Sequence, residues 1–264
     1  MARAIVIGVG GGGRGVVNWL KWYLQQEYGS PEAAGVRLFC IDGPPRDQYR
    51  LAGDFQIDVS SGSPEFYPLT VSPQRAIEAI TREEPFAFID QWLPPSDARR
   101  IPTEALDPST GFGRNRVAAR AGLFLEAGTL VAQLPDLTGA SYIFVVGSQS
   151  GGTGAGMLLD VAYLVKRAKG TAVLFGIVLL PSGFDYIFRL PEEVRDRDAR
   201  AFAGLRELLR FQDASTTKPT RIEYIPSGQR EARPAVRCLL PDRWPGWHPA
   251  RGLSAAGRGV RLGR

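Results

Sequence analysis

Two glycine-rich turns, each set between a continuous apolar run and an amphipathic segment, constrain this chain more than any other feature. The first is G-V-G-G-G-G-R-G (8–15). It follows R-A-I-V-I-G-V (3–9), which reads as a short buried strand. It precedes a segment starting near Arg14 that puts Val16, Val17, Leu20, Tyr23 and Leu24 on one side at helical spacing. The second, S-Q-S-G-G-T-G-A-G (148–156), follows the apolar run S-Y-I-F-V-V-G (141–147). It feeds a segment with Met157, Leu158, Val161, Ala162, Leu164 and Val165 at the same period. Glycines in such turns let backbone N–H groups approach a phosphate, and the following helix directs its positive end at the same anion. Two such turns in one sheet are expected to converge on one polyphosphate.

The remaining pattern alternates in the same way. V-R-L-F-C-I-D (36–42) reads as a second strand, cut by Gly43, Pro44 and Pro45. Ser72 and Pro73 mark the start of a short helix over 73–81, and a longer helix over 117–134 is stopped by Pro135. Residues 171–180 make a further strand. An amphipathic helix follows over 196–213, carrying Ala199, Phe202, Ala203, Leu205, Leu208 and Leu209, and 221–225 makes one more short strand. Strands alternating with helices imply an α/β fold with a doubly wound, mostly parallel sheet, whose ligands sit at the carboxyl ends of the strands.

Composition narrows the chemistry. With 44% apolar and 22% charged residues over 264 positions, the chain has material for a substantial core. His248 is the sole histidine, and Cys40 and Cys238 share no motif, which removes Cys/His metal sites and the usual triads. No leader pattern and no long apolar run occur, so a cytoplasmic location and no membrane partner are expected. The net charge of +5 is concentrated at one end: residues 229–264 hold eight arginines against Glu231 and Asp242. The other 228 residues are near neutral and give no electrostatic case for nucleic acid.

The first turn formally matches the dinucleotide pattern G-x-G-x-x-G, and Asp42 ends the next strand where a ribose-binding acid is expected. A Rossmann-type NAD or FAD binder is therefore the competing expectation. A P-loop is excluded, since Arg14 and Gly15 stand where Lys and Ser/Thr are required. The dinucleotide reading leaves the second turn without a task, and a nonenzymatic scaffold leaves both.

Taken together, these residues resemble the tubulin/FtsZ family of GTP-binding cytoskeletal proteins. G-G-T-G-A-G (151–156) is similar to the family signature G-G-G-T-G-[ST]-G, with Ser150 for its first glycine and Ala155 for Ser/Thr. I-V-I-G-V-G-G-G-G-R-G-V-V-N (5–18) is similar to the FtsZ start. Pro181, Asp185 and Arg189 keep the spacing Pro-x3-Glu-x3-Arg, and A-G-L-R-E-L (203–208) followed by Ile225 and Pro226 is similar to an FtsZ helix and strand. Ser227 replaces the asparagine that follows. The divergent G-F-G-R-N-R (111–116) points to a bacterial tubulin-like branch.

The resemblance implies GTP as ligand, with Mg2+ bound through its phosphates. It implies phosphate contacts from Gly10, Gly11, Gly12, Gly13, Arg14, Gly151, Gly152, Thr153, Gly154, Ala155, Gly156 and Arg189. It implies guanosine contacts from Asn18, Pro181 and Asp185, with Asp185 on the ribose and Asn18 on the base. It also implies self-association into filaments in a full-length form. In that family the catalytic acids lie on a loop after a long central helix, and nothing after Ser227 resembles either, so no catalytic residue is assigned and at most trace GTP hydrolysis is expected. Asp160, within the helix after the second turn, is expected to be solvated. The domain is expected to span 1–228. From Gln229 periodicity gives way to Arg, Pro, Gly and Trp, which reads as a disordered tail, a basic arm for an acidic partner, or out-of-frame translation.

Overall fold

The computed structural model describes residues 3–43, 57, 62–72, 74–76, 78, 112, 114–168 and 172–212, and the backbone of 221–224 and 236–239. Five parallel strands form the central sheet in the order β3-β2-β1-β4-β5. They are β1 (Ala4–Val9), β2 (Val36–Asp42), β3 (Phe66–Pro68), β4 (Tyr142–Ser148) and β5 (Val173–Leu179). Helices α1 (Gly10–Tyr28), α2 (Arg116–Gln133), α3 (Gly152–Ala168) and α4 (Pro191–Gln212) connect or follow them. The chain moves outward from β1 to β3, then returns to pair β4 against β1's other side, so the strand order reverses between β1 and β4. At such a reversal a crevice opens at the carboxyl ends of the strands.

Period-two alternation divides the core between the two faces. Ile5, Ile7 and Val9 of β1 join Ile143 and Val145 of β4 against Leu123, Phe124, Leu130, Leu158, Val161 and Leu164 of α2 and α3. Val6, Leu38, Cys40 and Val146 face the other way, onto Val17 of α1. A parallel strand covered on both faces reads as an unbroken apolar run, as β1 and β4 do. Helix α3 is buried from Gly152 to Val165 and packs closely on α2, because Gly156 lies so near the Arg116 carbonyl that no Cβ fits between them.

Four expectations need correction. The glycines of both turns belong to helices: α1 begins at Gly10 directly after Val9, and α3 at Gly152. Glycine has low helix propensity but permits the abrupt change of direction, and Gly10 takes φ 71° to make it. Helix α4 begins at Pro191, five residues before the position expected, with Pro at N1 and Glu192 and Glu193 in the first turn. The strand near 221–225 does not extend the main sheet. As β6 (Arg221–Tyr224) it pairs antiparallel with β7 (Val236–Leu239), beside α2 and α3. Asp160 is fully buried, as described below.

Strand β3 and strand β7 had no counterpart in the periodicity. Ser72 Oγ accepts from the Arg75 N–H at 3.2 Å, in keeping with the helix start expected there, whose later residues lie mostly outside those described. Residues 225–235 and 240–264, including Pro226, Ser227 and most of the basic segment, also lie outside them.

Candidate functional site

Both glycine turns leave adjacent strands at the same end of the sheet, since Val9 pairs with Gly147 across the β1–β4 ladder. They meet there. A Cβ built on Gly10 would stand 2.8 Å from the Gly154 nitrogen and 3.0 Å from Thr153 Cβ. One on Gly12 would stand 2.7 Å from Ser148 Cβ, and one on Gly13 would overlap the Val146 carbonyl oxygen. Gly154 is equally confined: a Cβ there would stand 2.5 Å from the Ser148 carbonyl oxygen. These glycines are required by the closeness of two backbones, which brings the starts of α1 and α3 side by side.

The start of α1 lacks a side-chain cap: Val9 precedes it and makes no side-chain hydrogen bond. Neither α1 nor α3 carries an acid in its first turn. The first N–H groups of a helix have no partner within it and give its end a partial positive charge, so two adjacent starts with no acid of their own favour an anion between them.

Polar groups surround these starts. Arg14, buried in α1, has Nη1 4.0 Å from Asp42 Oδ2. Burial pushes the Asp42 carboxyl above the usual aspartate range, against the Arg14 charge and hydrogen bonds from the Gly43 N–H and the Thr153 hydroxyl. Asp42 thus ties the two turns together at the end of β2. Next to Gly151, Ser150 Oγ and Gln149 Oε1 are buried with no hydrogen-bond partner among the described residues. The Ser150 N–H donates to Ser148 Oγ at 3.0 Å.

The other residues singled out from the sequence are placed as follows. A Cβ on Gly151 would meet no described atom within 4 Å, whereas Gly152 abuts the residues that lead into α2: a Cβ there would stand 2.8 Å from Arg114 C and Asn115 N. Ala155 and Gly156 lie within the buried first turns of α3, and Gly11 lies in the first turn of α1. Asn18 is buried one helical turn beyond Arg14, and its Oδ1 accepts from the Ile57 N–H at 2.9 Å. Pro181 starts a one-turn 3-10 helix after β5 (Pro181–Phe184), with Asp185 at its end. Asp185 is exposed and paired with Arg197. Arg189 is exposed, and its Nε donates to the Tyr186 carbonyl at 3.3 Å.

Sequence reading missed the arginines behind the second turn. Arg200 of α4 donates from Nε to the Ser150 carbonyl at 3.2 Å. Arg114, with φ 61°, lies 4.7 Å from the Phe188 ring centroid and 3.3 Å from Glu193 Oε1. Behind them Arg120 meets Asp160 inside the protein, Nε to Oδ2 at 2.8 Å and Nη2 to Oδ1 at 3.0 Å. Glu207 of α4 bonds both Arg120 and Arg116, and Arg116 Nη2 donates to the Ala155 carbonyl at 3.3 Å. Asp160 therefore holds helices together. The only sequence signal was an acid inside a helix whose neighbours are all apolar. Glu126 of α2 similarly accepts from Thr70 N–H and Val71 N–H, fixing the segment after β3.

Among the described residues no three His, Cys, Asp or Glu side chains come together as a metal site, and no helix is long and apolar enough to cross a membrane. Comparison with solved structures finds a likeness to CetZ from Methanosaeta thermophila strain DSM 6194, at 16% identity and TM-score 0.47, covering 80% of this chain and 43% of that one. The chain thus spans less than half of CetZ. Comparison with curated proteins gives no match. A family model described as "Tubulin like" matches residues 5–240. By that match over most of its length, the chain belongs to the tubulin-like family.

Proposed function

We propose that this protein binds GTP, with the polyphosphate seated between the paired starts of α1 and α3. The observation that carries the reading is the contact between Gly10 and the Gly154 nitrogen, which joins two helix starts with no acid in their first turns into one cradle. Backbone N–H groups of Gly11, Gly12, Gly151, Thr153 and Gly154 are the phosphate donors in this reading, whereas the Gly13 N–H closes the first turn of α1 onto the Val9 carbonyl. Arg14, paired with Asp42, adds a buried cation, and Ser150 Oγ, with no partner among the described residues, a further polar group. Membership of a tubulin-like family supports guanine over other bases, Mg2+ held by the phosphate oxygens, and self-association into cytoplasmic filaments by a longer form.

Asn18 is the residue through which the base would be read. Its Oδ1 already accepts from Ile57, leaving a lone pair and its amide N–H groups for a guanine edge. Asp185 would accept from the ribose, with Pro181 beneath the sugar and Arg189 turning inward to the phosphates. The dinucleotide alternative is less well supported, because Asp42 is engaged by Arg14, Gly43 and Thr153.

Thermal-shift titration of GTP, ATP and NAD tests the proposal, since a ligand that binds only the folded state raises the melting temperature with concentration. GTP is expected to stabilise most and NAD not at all. Stabilisation by NAD alone would overturn the reading. Asn18→Ala is expected to weaken GTP more than ATP, and equal losses would remove Asn18 from base recognition.

A further inference from the structure

Nothing within the second glycine turn fixes which way its first peptide faces. Among the described residues no atom lies within 4 Å of the position a Gly151 Cβ would take, and glycine crosses between backbone regions at little steric cost. The Ser150–Gly151 peptide could therefore present either its carbonyl or its N–H to an anion. Only the N–H orientation binds phosphate.

The fixing group comes from α4. Arg200 Nε donates to the Ser150 carbonyl at 3.2 Å. In a planar trans peptide the C=O and N–H point in opposite directions, so drawing the Ser150 carbonyl toward α4 turns the Gly151 N–H away from it. One helical turn on, Gly204 faces the Gln149 side chain, whose Oε1 would have to move to admit a Cβ there. Glu207, on the same face of α4, holds Arg116, whose Nη2 reaches the Ala155 carbonyl. The face of α4 carrying 200, 204 and 207 thus meets the turn at both of its ends. Arg200 occupies this place at a cost: burial first, then the Arg114 charge, holds its pKa below the usual arginine value, against Asp196.

We propose that Arg200 is a positioning residue that locks the Ser150–Gly151 peptide with its N–H outward, so that the second turn is preset to receive an anion. The inference rests on the nucleotide reading above. It assigns Arg200 no contact with the ligand.

Glutamine and methionine at position 200 separate the lock from the charge. The Nε2 of glutamine is as many bonds from Cα as Arg200 Nε, so Arg200→Gln keeps a donor for Ser150 and loses the charge. Arg200→Met keeps the stem and loses the donor. With GTP and inorganic triphosphate as probes, Arg200→Met is expected to weaken binding about tenfold, with guanosine affinity unchanged, and Arg200→Gln to stay near wild type. Wild-type affinity in Arg200→Met, or equal losses in both variants, would overturn the lock. The Gly151 amide resonance gives a readout without ligand: it is expected to move in Arg200→Met and stay in place in Arg200→Gln. If wild type bound neither probe the nucleotide reading would fail, and this resonance would still decide the lock.

Discussion

Gly10 and Gly154 touch through their backbones: a Cβ on Gly10 would stand 2.8 Å from the Gly154 nitrogen, and Gly10 itself has φ 71°. Position 10 therefore excludes a side chain twice, by conformation and by space. Gly10→Ala is expected to lower stability by about 1–3 kcal/mol, since a non-glycine residue in the left-handed region is strained before any clash is counted. Because the strain separates the starts of α1 and α3, the same variant is expected to lose nucleotide binding. Urea denaturation checks the first effect and GTP titration the second. A variant with wild-type stability would show that the two turns do not meet.

Gly151 allows the phosphate role to be tested apart from folding. Gly152 does not, because a Cβ there would strike the backbone of Arg114 and Asn115. A Cβ on Gly151 meets no described atom within 4 Å, so Gly151→Val is expected to leave the melting temperature within about 2 °C of wild type, the range of a surface substitution. GTP affinity is expected to fall at least tenfold, as the added side chain fills the space a phosphate oxygen needs. Unchanged GTP affinity in the folded variant would remove the Gly151 N–H from the site.

Asp42 gives the site a pH dependence of defined sign. Its folded-state pKa lies above the ordinary 3.8, chiefly through burial. Above the folded value Asp42 is ionised in both states and its burial costs stability. As pH falls through that value the folded state takes up a proton before the unfolded state does, and the cost is relieved. Asp42→Asn carries no such charge. Its melting temperature relative to wild type is therefore expected to rise as pH goes from 4 to 7. A constant difference across that range would show that the carboxyl titrates normally.

How much of this was legible differs from one element to the next. Strands β1, β2 and β4 were readable within one residue at each end, because a strand covered on both faces must be apolar throughout. The meeting of the two turns was readable as an expectation from their repetition. Their helical character was not, since four glycines in a row oppose a helix by propensity and adopt it here where Gly10, Gly12 and Gly13 lie too close to β4 and α3 for side chains. Strand β3 has three residues, too few to show a period. The start of α4 was legible in Pro191, Glu192 and Glu193, but the apolar positions of the helix begin later and drew the boundary toward them. Asp160 and Arg120 are forty residues apart, and no local pattern links an acid on one helix to its base on another.

That last pair is open to a stability test. Arg120 and Asp160 are almost wholly buried, joined by two close contacts, with Glu207 on the far side of the guanidinium. Removing one member of a buried pair strands the other charge in a medium that solvates it poorly, at a cost of about 3–5 kcal/mol. Replacing both by apolar residues of similar size removes the desolvation penalty together with the attraction, and is often neutral. Asp160→Ala, Asp160→Leu and Arg120→Met are each therefore expected to be severely destabilised. Combining Asp160→Leu with Arg120→Met is expected to recover much of the loss, short of the whole because Glu207 keeps only Arg116 as a partner. Denaturant midpoints of the single and double variants, compared as a cycle, provide the measurement. If Asp160→Ala unfolded at the wild-type midpoint, Asp160 would be solvated rather than the ionic tie between α2 and α3.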